Sequence, residues 1–210
     1  MKYLIIGGGG HARVIIDLIQ CVGKKSSTLG IADPNLPIGS RFMDIPVLGG
    51  DEVIYDFAAT EVELVNGIGS VSTESFRKQV YEKLKSERYT FSTLVHPSAV
   101  IAENVILGEG TVVMAGSIIQ AGSKIGDNVI LNTGCLIDHD CIINDHVHIA
   151  PRTTISGGVQ IGAGSFIGIG TSISQGIRIG TNTLVGAGSV VIQDLGDNMK
   201  AFGNPAKVRE

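Results

Sequence analysis

The sequence predicts a two-part fold, a small α/β domain with a parallel sheet followed by a parallel β-helix. Three observations support this prediction. An aliphatic residue recurs at every sixth position through the second half of the chain, and a strand–helix–strand pattern opens the first half. The composition combines 29 glycines with 5% aromatic residues and no tryptophan, which favours many regular turns around small aliphatic side chains.

The N-terminal domain is predicted over residues 1–94, and it opens with a βαβ unit. Its expected elements, in order, are a strand at 2–6, a helix ending near Val22, strands at 28–32 and 63–67, a helix from Thr73 to about Ser86, and a strand at 90–94. Together they make a small, largely parallel sheet. The change of pattern falls near His96 and Pro97.

The second domain is predicted over residues 95–210, with a C-terminal tail after the repeats. From Val95 to Val191 every sixth residue is Leu, Ile or Val, and the fourth residue after each, from Ala99 to Ser189, is small or β-branched. This is the hexapeptide pattern of a parallel β-helix, in which three hexapeptides close one coil. The aliphatic residue points inward, and the residue before it points outward because strands alternate.

Outward residues eighteen positions apart stack on one of three faces. The first face carries Val112, Ile130, His148, Phe166 and Leu184; the second carries Val100, Ile118, Leu136, Thr154, Ser172 and Val190; the third carries Ile106, Lys124, Ile142, Gln160 and Arg178. The first two faces are mostly apolar, and such stripes exceed what a soluble monomer leaves exposed. We therefore expect neighbouring copies to cover them, and head-to-tail packing around a threefold axis would give a homotrimer.

Composition also excludes several classes of protein. A net charge of −4 with dispersed basic residues argues against nucleic-acid binding. Cys21, Cys135 and Cys141 are too few and too irregular for a disulfide framework or a four-thiolate zinc site, and no metal is expected. The N-terminus enters a strand at once, without a signal sequence or a membrane-spanning run, which predicts a cytoplasmic protein with no membrane insertion.

The glycine-rich turn after the first strand is a candidate ligand site. Gly7-x-Gly9-x-x-Ala12 opens a helix and is followed about twenty residues later by Asp33, as in Rossmann-like dinucleotide-binding folds. The alternative is a tight turn that needs glycine only for its backbone freedom. Because the domain is too short for a complete six-stranded nucleotide fold, a nucleotide-sugar diphosphate is a better ligand than a dinucleotide.

A second candidate site is Asp138-His139-Asp140, in which the repeat places His139 and Asp140 at a corner of the β-helix. Flanking carboxylates can fix the tautomer of an imidazole and raise its basicity, as a general base requires. The alternative is a solvated surface histidine. His139 and His148 stand nine residues apart, half a coil, and hence on opposite sides of the helix, so they could meet one ligand only across a subunit boundary.

Five segments together resemble the sialic-acid O-acetyltransferase and bacillosamine or perosamine N-acetyltransferase family, whose fold is a left-handed β-helix. These are GGGGHA at 7–12, IPVLG at 45–49, LVHPSA at 94–99, HDC at 139–141 and GNPAK at 203–207. The resemblance spans the chain and implies acetyl transfer from acetyl-CoA to a sugar. It departs at Asp140, where a glutamate is frequent in the bacillosamine enzymes, and at Ala187, where glycine is expected.

The resemblance also implies roles for individual residues. His139 would be the catalytic base, with its pKa raised by Asp140. The nucleotide sugar would be held by Gly9, Gly10, His11, Asp33 and Gly69, and acetyl-CoA by His148, Ile169 and Ala187.

The expected activity is acetylation of the 4-amino group of a nucleotide-linked amino-dideoxy sugar, for bacterial surface glycan or glycoprotein synthesis. Sialic-acid-type O-acetylation is the nearest alternative. Two other classes stay open: a zinc hydratase like the β-helical carbonic anhydrases, using His139, His146 and His148, and a non-catalytic nucleotide-sugar-binding protein.

Overall fold

The computed structural model describes residues 1–70 and 75–209, without the side chain of Ser75. Its N-terminal part is a six-stranded sheet in the order β3-β4-β2-β1-β5-β6, parallel except for the antiparallel pair β3–β4. The elements are β1 Lys2–Ile6, α1 Gly10–Cys21, β2 Thr28–Ala32, β3 Arg41–Phe42, β4 Ile45–Gly49, β5 Val62–Asn66, α2 Ser75–Ser86 and β6 Thr90–Phe91, with 3₁₀ helices at Lys25–Ser27 and Asp51–Asp56.

The remainder is a parallel β-helix of very short strands closed by an antiparallel hairpin. In chain order the strands are β7 Leu94–Val95, β8 Val100–Ile101, β9 Ile106–Leu107, β10 Val112–Val113, β11 Ile118–Ile119, β12 Lys124–Ile125, β13 Ile130–Leu131, β14 Leu136–Ile137, β15 Ile142–Ile143, β16 His148–Ile149, β17 Thr154–Ile155, β18 Gln160–Ile161, β19 Phe166–Ile167, β20 Ser172–Ile173, β21 Arg178–Ile179, β22 Leu184–Val185, β23 Val190–Val191, β24 Lys200–Phe202 and β25 Lys207–Arg209.

Every third strand of the β-helix joins the same sheet, which gives the three predicted faces. The aliphatic column is buried as the register predicts, and Ile137, Ile149 and Ile155 are each at most 1% exposed. Inward hydroxyls also have partners: Ser123 Oγ donates to the carbonyl of Asp138 (2.8 Å), one coil further along. Such bonds allow small polar residues inside an otherwise apolar core.

Helix α1 packs on the first face of the β-helix. Its apolar side chains at 12, 15, 16 and 19 follow helical spacing and are all buried. Ile15, Ile16 and Ile19 share one core cluster with Val112 and Ile130. The expectation that neighbouring copies cover the whole first face is therefore wrong for its early coils, because the chain's own N-terminal helix covers them.

Several predicted boundaries differ from the structure. The strand expected at 90–94 is two strands, because Leu94 and Val95 pair with Val112 and Val113 in the β-helix. The strand expected at 63–67 lies at Val62–Asn66. The predicted helix start at Thr73 lies outside the described residues, and the division at residues 94 and 95 stays a prediction. Within 1–70 and 75–209, no helix has both the length and the apolar character needed to cross a bilayer.

Candidate active site

The glycine-rich turn opens into a cavity of about 630 Å³ between the N-terminal domain and the first face. Gly9 caps α1 without a side-chain hydrogen bond, and neither Gly9 nor Gly10 has an atom within 4 Å of the position a Cβ would take. The first turn of the helix therefore borders open space in the cavity. A helix N-terminus of this kind suits a phosphate group.

Asp33 stands at the end of β2 and holds the glycine-rich turn in place. Its Oδ2 accepts the Gly8 N–H (2.6 Å) and its Oδ1 accepts the Asn35 N–H (2.7 Å). Asp33 lines the cavity, and each carboxylate oxygen keeps a second lone pair for a ligand hydroxyl. The carboxylate can thus shape the turn and contact a ribose.

His11 and Gly69 form the deeper wall of this cavity. Gly69 must be small, because a Cβ there would lie 2.7 Å from His11 Cβ. The His11 Nε2 is buried and has no hydrogen-bond partner among the described residues. Burial, followed by the charge of Arg77 and then by His148, lowers the pKa of His11 to about 3, so the ring is neutral at physiological pH.

A second cavity, of about 800 Å³, runs along the first face and adjoins the first at Ser70, Asn132 and His148. Ile169 and Ala187 line it, as the resemblance implies. The long, partly apolar shape suits a pantetheine arm.

His148 is buried where the two cavities meet. Its Nε2 lies 3.2 Å from Asn132 Nδ2, and its ring meets Phe166 edge to face at 5.0 Å. Asn132 was not among the predicted site residues. The repeat could have indicated it, because it stands one coil below Ala150 in a corner column that borders His148.

His139 lies outside both cavities, at the corner between β14 and β15. Its side chain is 54% exposed, and its Nδ1 lies 2.9 Å from Asp140 Oδ2. This hydrogen bond, followed by the charge of Asp138, raises the pKa of His139. With Nδ1 bonded to a carboxylate, Nε2 is the nitrogen left to accept a proton.

Two glycines of adjacent coils make room for the His139–Asp140 pair. A Cβ at Gly157, one coil above, would lie 2.5 Å from His139 Nε2, and a Cβ at Gly122, one coil below, would collide with the Asp140 carboxylate. The pair is thus set between two positions without side chains. Asp140 itself adopts a left-handed backbone with φ of 58°, which Asp tolerates better than most residues.

The corner of His139 separates the second and third faces, whereas His148 lies on the first. Exposed apolar side chains flank this corner on both sides, at Val100, Ile106, Leu136 and Ile142. The structure therefore brings eight of the ten predicted site residues to two adjoining cavities and leaves His139 and Asp140 on the far side of the same chain.

His146, which a zinc site would use with His139 and His148, is buried beneath α2 against Tyr81 and Asn128. In the described ranges, no group of three or more His, Cys, Asp and Glu side chains is placed to hold a metal ion.

Two sequence families match the chain. The family described as the PglD N-terminal domain matches residues 2–84, and the family described as bacterial transferase hexapeptide (six repeats) matches residues 122–157. A comparison with curated protein sequences found no match.

Solved structures match the chain over its full length. A variant of perosamine N-acetyltransferase from Caulobacter crescentus, in complex with CoA and GDP-perosamine, is 36% identical over 100% of this chain and 97% of that chain, with a TM-score of 0.92. The acetyltransferase domain of PglB from Neisseria gonorrhoeae FA1090, in complex with acetyl coenzyme A, is 33% identical over 99% of this chain and 98% of that chain, with a TM-score of 0.92.

A third structure, WeeI from Acinetobacter baumannii AYE, is 24% identical over all of both chains with a TM-score of 0.89, and it shows the fold alone. The predicted fold class, an α/β domain followed by a left-handed β-helix, is confirmed.

Proposed function

Because this chain belongs to the hexapeptide-repeat acyltransferases and is an acetyl-CoA-dependent sugar acetyltransferase, we propose that it acetylates the 4-amino group of a nucleotide-linked amino-dideoxy sugar. The observation that carries the proposal is the meeting of the two cavities at Asn132 and His148. One cavity begins at a phosphate-binding turn and the other suits a pantetheine arm. The reacting ends of both substrates would meet where the cavities join.

An amine acceptor fits this arrangement better than a free sialic acid. The Gly9–Gly10 turn and Asp33 offer donors and acceptors for a diphosphate and a ribose, which a free sugar would leave unused. The perosamine N-acetyltransferase of Caulobacter crescentus, 36% identical, was crystallised with a nucleotide-linked amino sugar. Free Cys21, Cys135 and Cys141 fit an enzyme of the reducing cytoplasm.

In the proposed reaction the sugar nitrogen attacks the thioester carbonyl while Nε2 of His139 takes the proton from the nitrogen. The C–S bond then breaks, the sulfur leaves as the thiolate of CoA and takes the proton from the His139 imidazolium, and an amide remains on the sugar. Asp140 holds the imidazole through Nδ1 and stabilises the imidazolium that forms. A donor at the oxyanion lowers the barrier further.

The base must come from another subunit, because His139 lies across the β-helix from the junction of its own cavities. The exposed apolar residues beside His139 give a neighbour a surface to cover. We therefore propose a homotrimer in which the His139 corner of one subunit meets the cavities on the first face of the next.

Thiol release from acetyl-CoA tests the acceptor. GDP- and UDP-linked 4-amino-4,6-dideoxyhexoses would be compared with the matching 4-hydroxy sugars and with free sialic acid. We expect CoA release with an amino sugar alone. Turnover with a hydroxyl acceptor at a comparable rate would contradict N-acetylation.

Subunit mixing tests the shared site. His139→Ala and His148→Ala proteins would be combined under conditions that exchange subunits. A mixed trimer contains interfaces at which both contributing faces are intact, so activity should exceed that of either parent. A mixture no more active than its parents, with exchange confirmed by mass spectrometry, would contradict a site built from two chains.

A further inference from the structure

A buried chain of hydrogen bonds joins the β-helix to the wall of the first cavity. Asn128 and His146 occupy the same corner of successive coils, and Asn66 ends β5 beside them. His146 Nδ1 lies 3.0 Å from Asn128 Nδ2, Asn66 Nδ2 donates to Asn128 Oδ1 (3.2 Å), and the Ile68 N–H donates to Asn66 Oδ1 (3.1 Å). Ile68 lines the cavity, so the chain ends at the ligand site.

The Ile68 N–H, at the end of this series, fixes the direction of every hydrogen bond in it. A backbone N–H can only donate, so the Asn66 oxygen must face Ile68 and the Asn66 NH₂ group must face Asn128. The Asn128 oxygen then faces Asn66, and its NH₂ group faces His146. Nδ1 of His146 must accept, which places the single ring proton on Nε2, 3.8 Å from Glu82 Oε1.

The three side chains that make these hydrogen bonds are buried. Asn66, Asn128 and His146 are each at most 8% exposed. Tyr81 meets the His146 ring edge to face at 5.5 Å, and Arg77 Nη1 donates to the carbonyls of Asn66 (2.8 Å) and Ile68 (2.7 Å). An unsatisfied donor in such a place costs free energy because water does not replace its partner.

We propose that neutral His146 is a positioning residue, which holds the 67–70 turn of the nucleotide-sugar cavity through Asn128 and Asn66. The ligand of this cavity rests on the proposed function, whereas the coupling of His146 to Ile68 rests on the bonds alone. His146 does not touch the substrate. It fixes the backbone that does.

The hydrogen bonds from His146 to Ile68 cannot rearrange to accommodate a second proton on the imidazole ring. It would turn Nδ1 of His146 into a donor facing the NH₂ group of Asn128. Rotating the Asn128 amide moves the conflict to Asn66, and rotating Asn66 sets its NH₂ group against the Ile68 N–H, which cannot turn. Protonation therefore breaks one bond of the chain and loosens the turn.

The charged groups that act on the His146 ring come from its own coil and from α2. Burial is the main cause that lowers its pKa, and it outweighs the opposing charges of Asp145 and Glu82. Lys78 and Arg77 of α2 act in the same direction as burial. The surroundings thus favour the neutral ring of His146, and the imidazolium forms only on acidification.

His146→Asn is the matched variant for a test. Asn Oδ1 can stand where Nδ1 stands, Asn tolerates the left-handed φ of 62° found here, and the amide does not titrate. GDP-mannose and UDP-glucose serve as probes, because neither carries a group that titrates between pH 5 and pH 8. Their binding is measured by calorimetry across this range in wild type and in His146→Asn.

On acidification, we expect the wild-type affinity for whichever probe binds to fall roughly tenfold, which is the order of effect of one lost buried hydrogen bond. The affinity of His146→Asn for the same probe should fall less. Equal pH dependence in the two proteins would overturn the proposal. An NMR titration needs no ligand: the Ile68 amide, assigned as the signal of a ¹⁵N-isoleucine-labelled sample that is lost in Ile68→Val, should shift with the ¹⁵N signals of His146. An unmoved Ile68 amide also overturns the proposal, whereas failure of both probes to bind counts against the proposed function alone.

Discussion

Two corners of the β-helix carry histidines seven residues apart, and their surroundings act on the two rings in opposite ways. At the exposed corner, His139 Nδ1 faces the Asp140 carboxylate, and the pKa of His139 is raised. At the buried corner, His146 Nδ1 faces the amide of Asn128, and the pKa of His146 is lowered. The Asp140 carboxylate favours the protonated ring of His139, whereas burial is the main cause that disfavours a second proton on His146, and Asn128 faces its Nδ1.

The largest effect that separates the two corners is expected from His139→Ala. Loss of a general base should reduce kcat about 10²–10⁴-fold, while acetyl-CoA binding stays unchanged because the substitution leaves His148, Ile169 and Ala187 of the second cavity intact. His146→Asn is the matched control and should keep nearly full activity at pH 8. Steady-state kinetics with calorimetry of acetyl-CoA would check both, and wild-type turnover by His139→Ala would remove His139 as the base.

A smaller loss is expected from Gly157→Ala, which leaves the His139–Asp140 pair in place but crowds it. The new Cβ would lie 2.5 Å from Nε2, so the ring must move, and a displacement of about 1 Å can cost up to about 10²-fold in rate. Gln175→Ala, in the same column one coil above Gly157, adds no atoms and serves as control. Equal activity of both variants would show that the position of the ring is unimportant.

Asp140→Asn should change the pH profile more than the maximal rate. A base works when neutral, and a raised pKa means that activity is lost at a higher pH on acidification. Without the carboxylate, the pKa of His139 falls towards 6.5, so the acid limb of kcat/KM should move to lower pH. A profile unchanged from wild type would assign the limb to another group.

The smallest effect concerns stability at the buried corner. The folded state lowers the pKa of His146 below 6.5, so the unfolded chain binds more protons as pH falls below that value, and stability declines. His146→Asn lacks this linkage. Between pH 8 and pH 5, Tm should therefore fall further for wild type than for the variant, and parallel Tm curves would count against a neutral, buried His146.

The six-residue period predicted which residues point inward and which face each outward residue occupies. The period fixes the direction of a side chain, but it does not indicate which part of the protein packs over that side chain. Val112 and Ile130 looked like interface residues, yet α1 of the same chain packs on them. His146 lies at a corner of the same repeat, but its burial depends on α2 and on Asn66, which is distant along the chain.

The candidate site was predictable to a similar extent. The glycine-rich motif indicated Gly9 and Asp33, the family resemblance implied His148, and the structure places these residues on the two cavities. The repeat places Asn132 one coil below Ala150, but the period does not show that this corner lies on both cavities, because that depends on how the N-terminal domain packs on the β-helix. Gly157 was not among the predicted site residues, since only the three-dimensional stacking of coils sets it against the His139 ring.

The common wall of the two cavities has a kinetic consequence. Acetyl-CoA and the sugar can occupy the adjoining cavities at the same time, so the acyl group can pass directly between them without a covalent acyl-enzyme intermediate. The thiols of the β-helix are poorly suited to carry the acyl group, because Cys135 and Cys141 are buried in its interior. Burial also raises the pKa of Cys135 to about 11. The enzyme should therefore follow a sequential order through a ternary complex, and double-reciprocal plots at varied acetyl-CoA should intersect rather than run parallel.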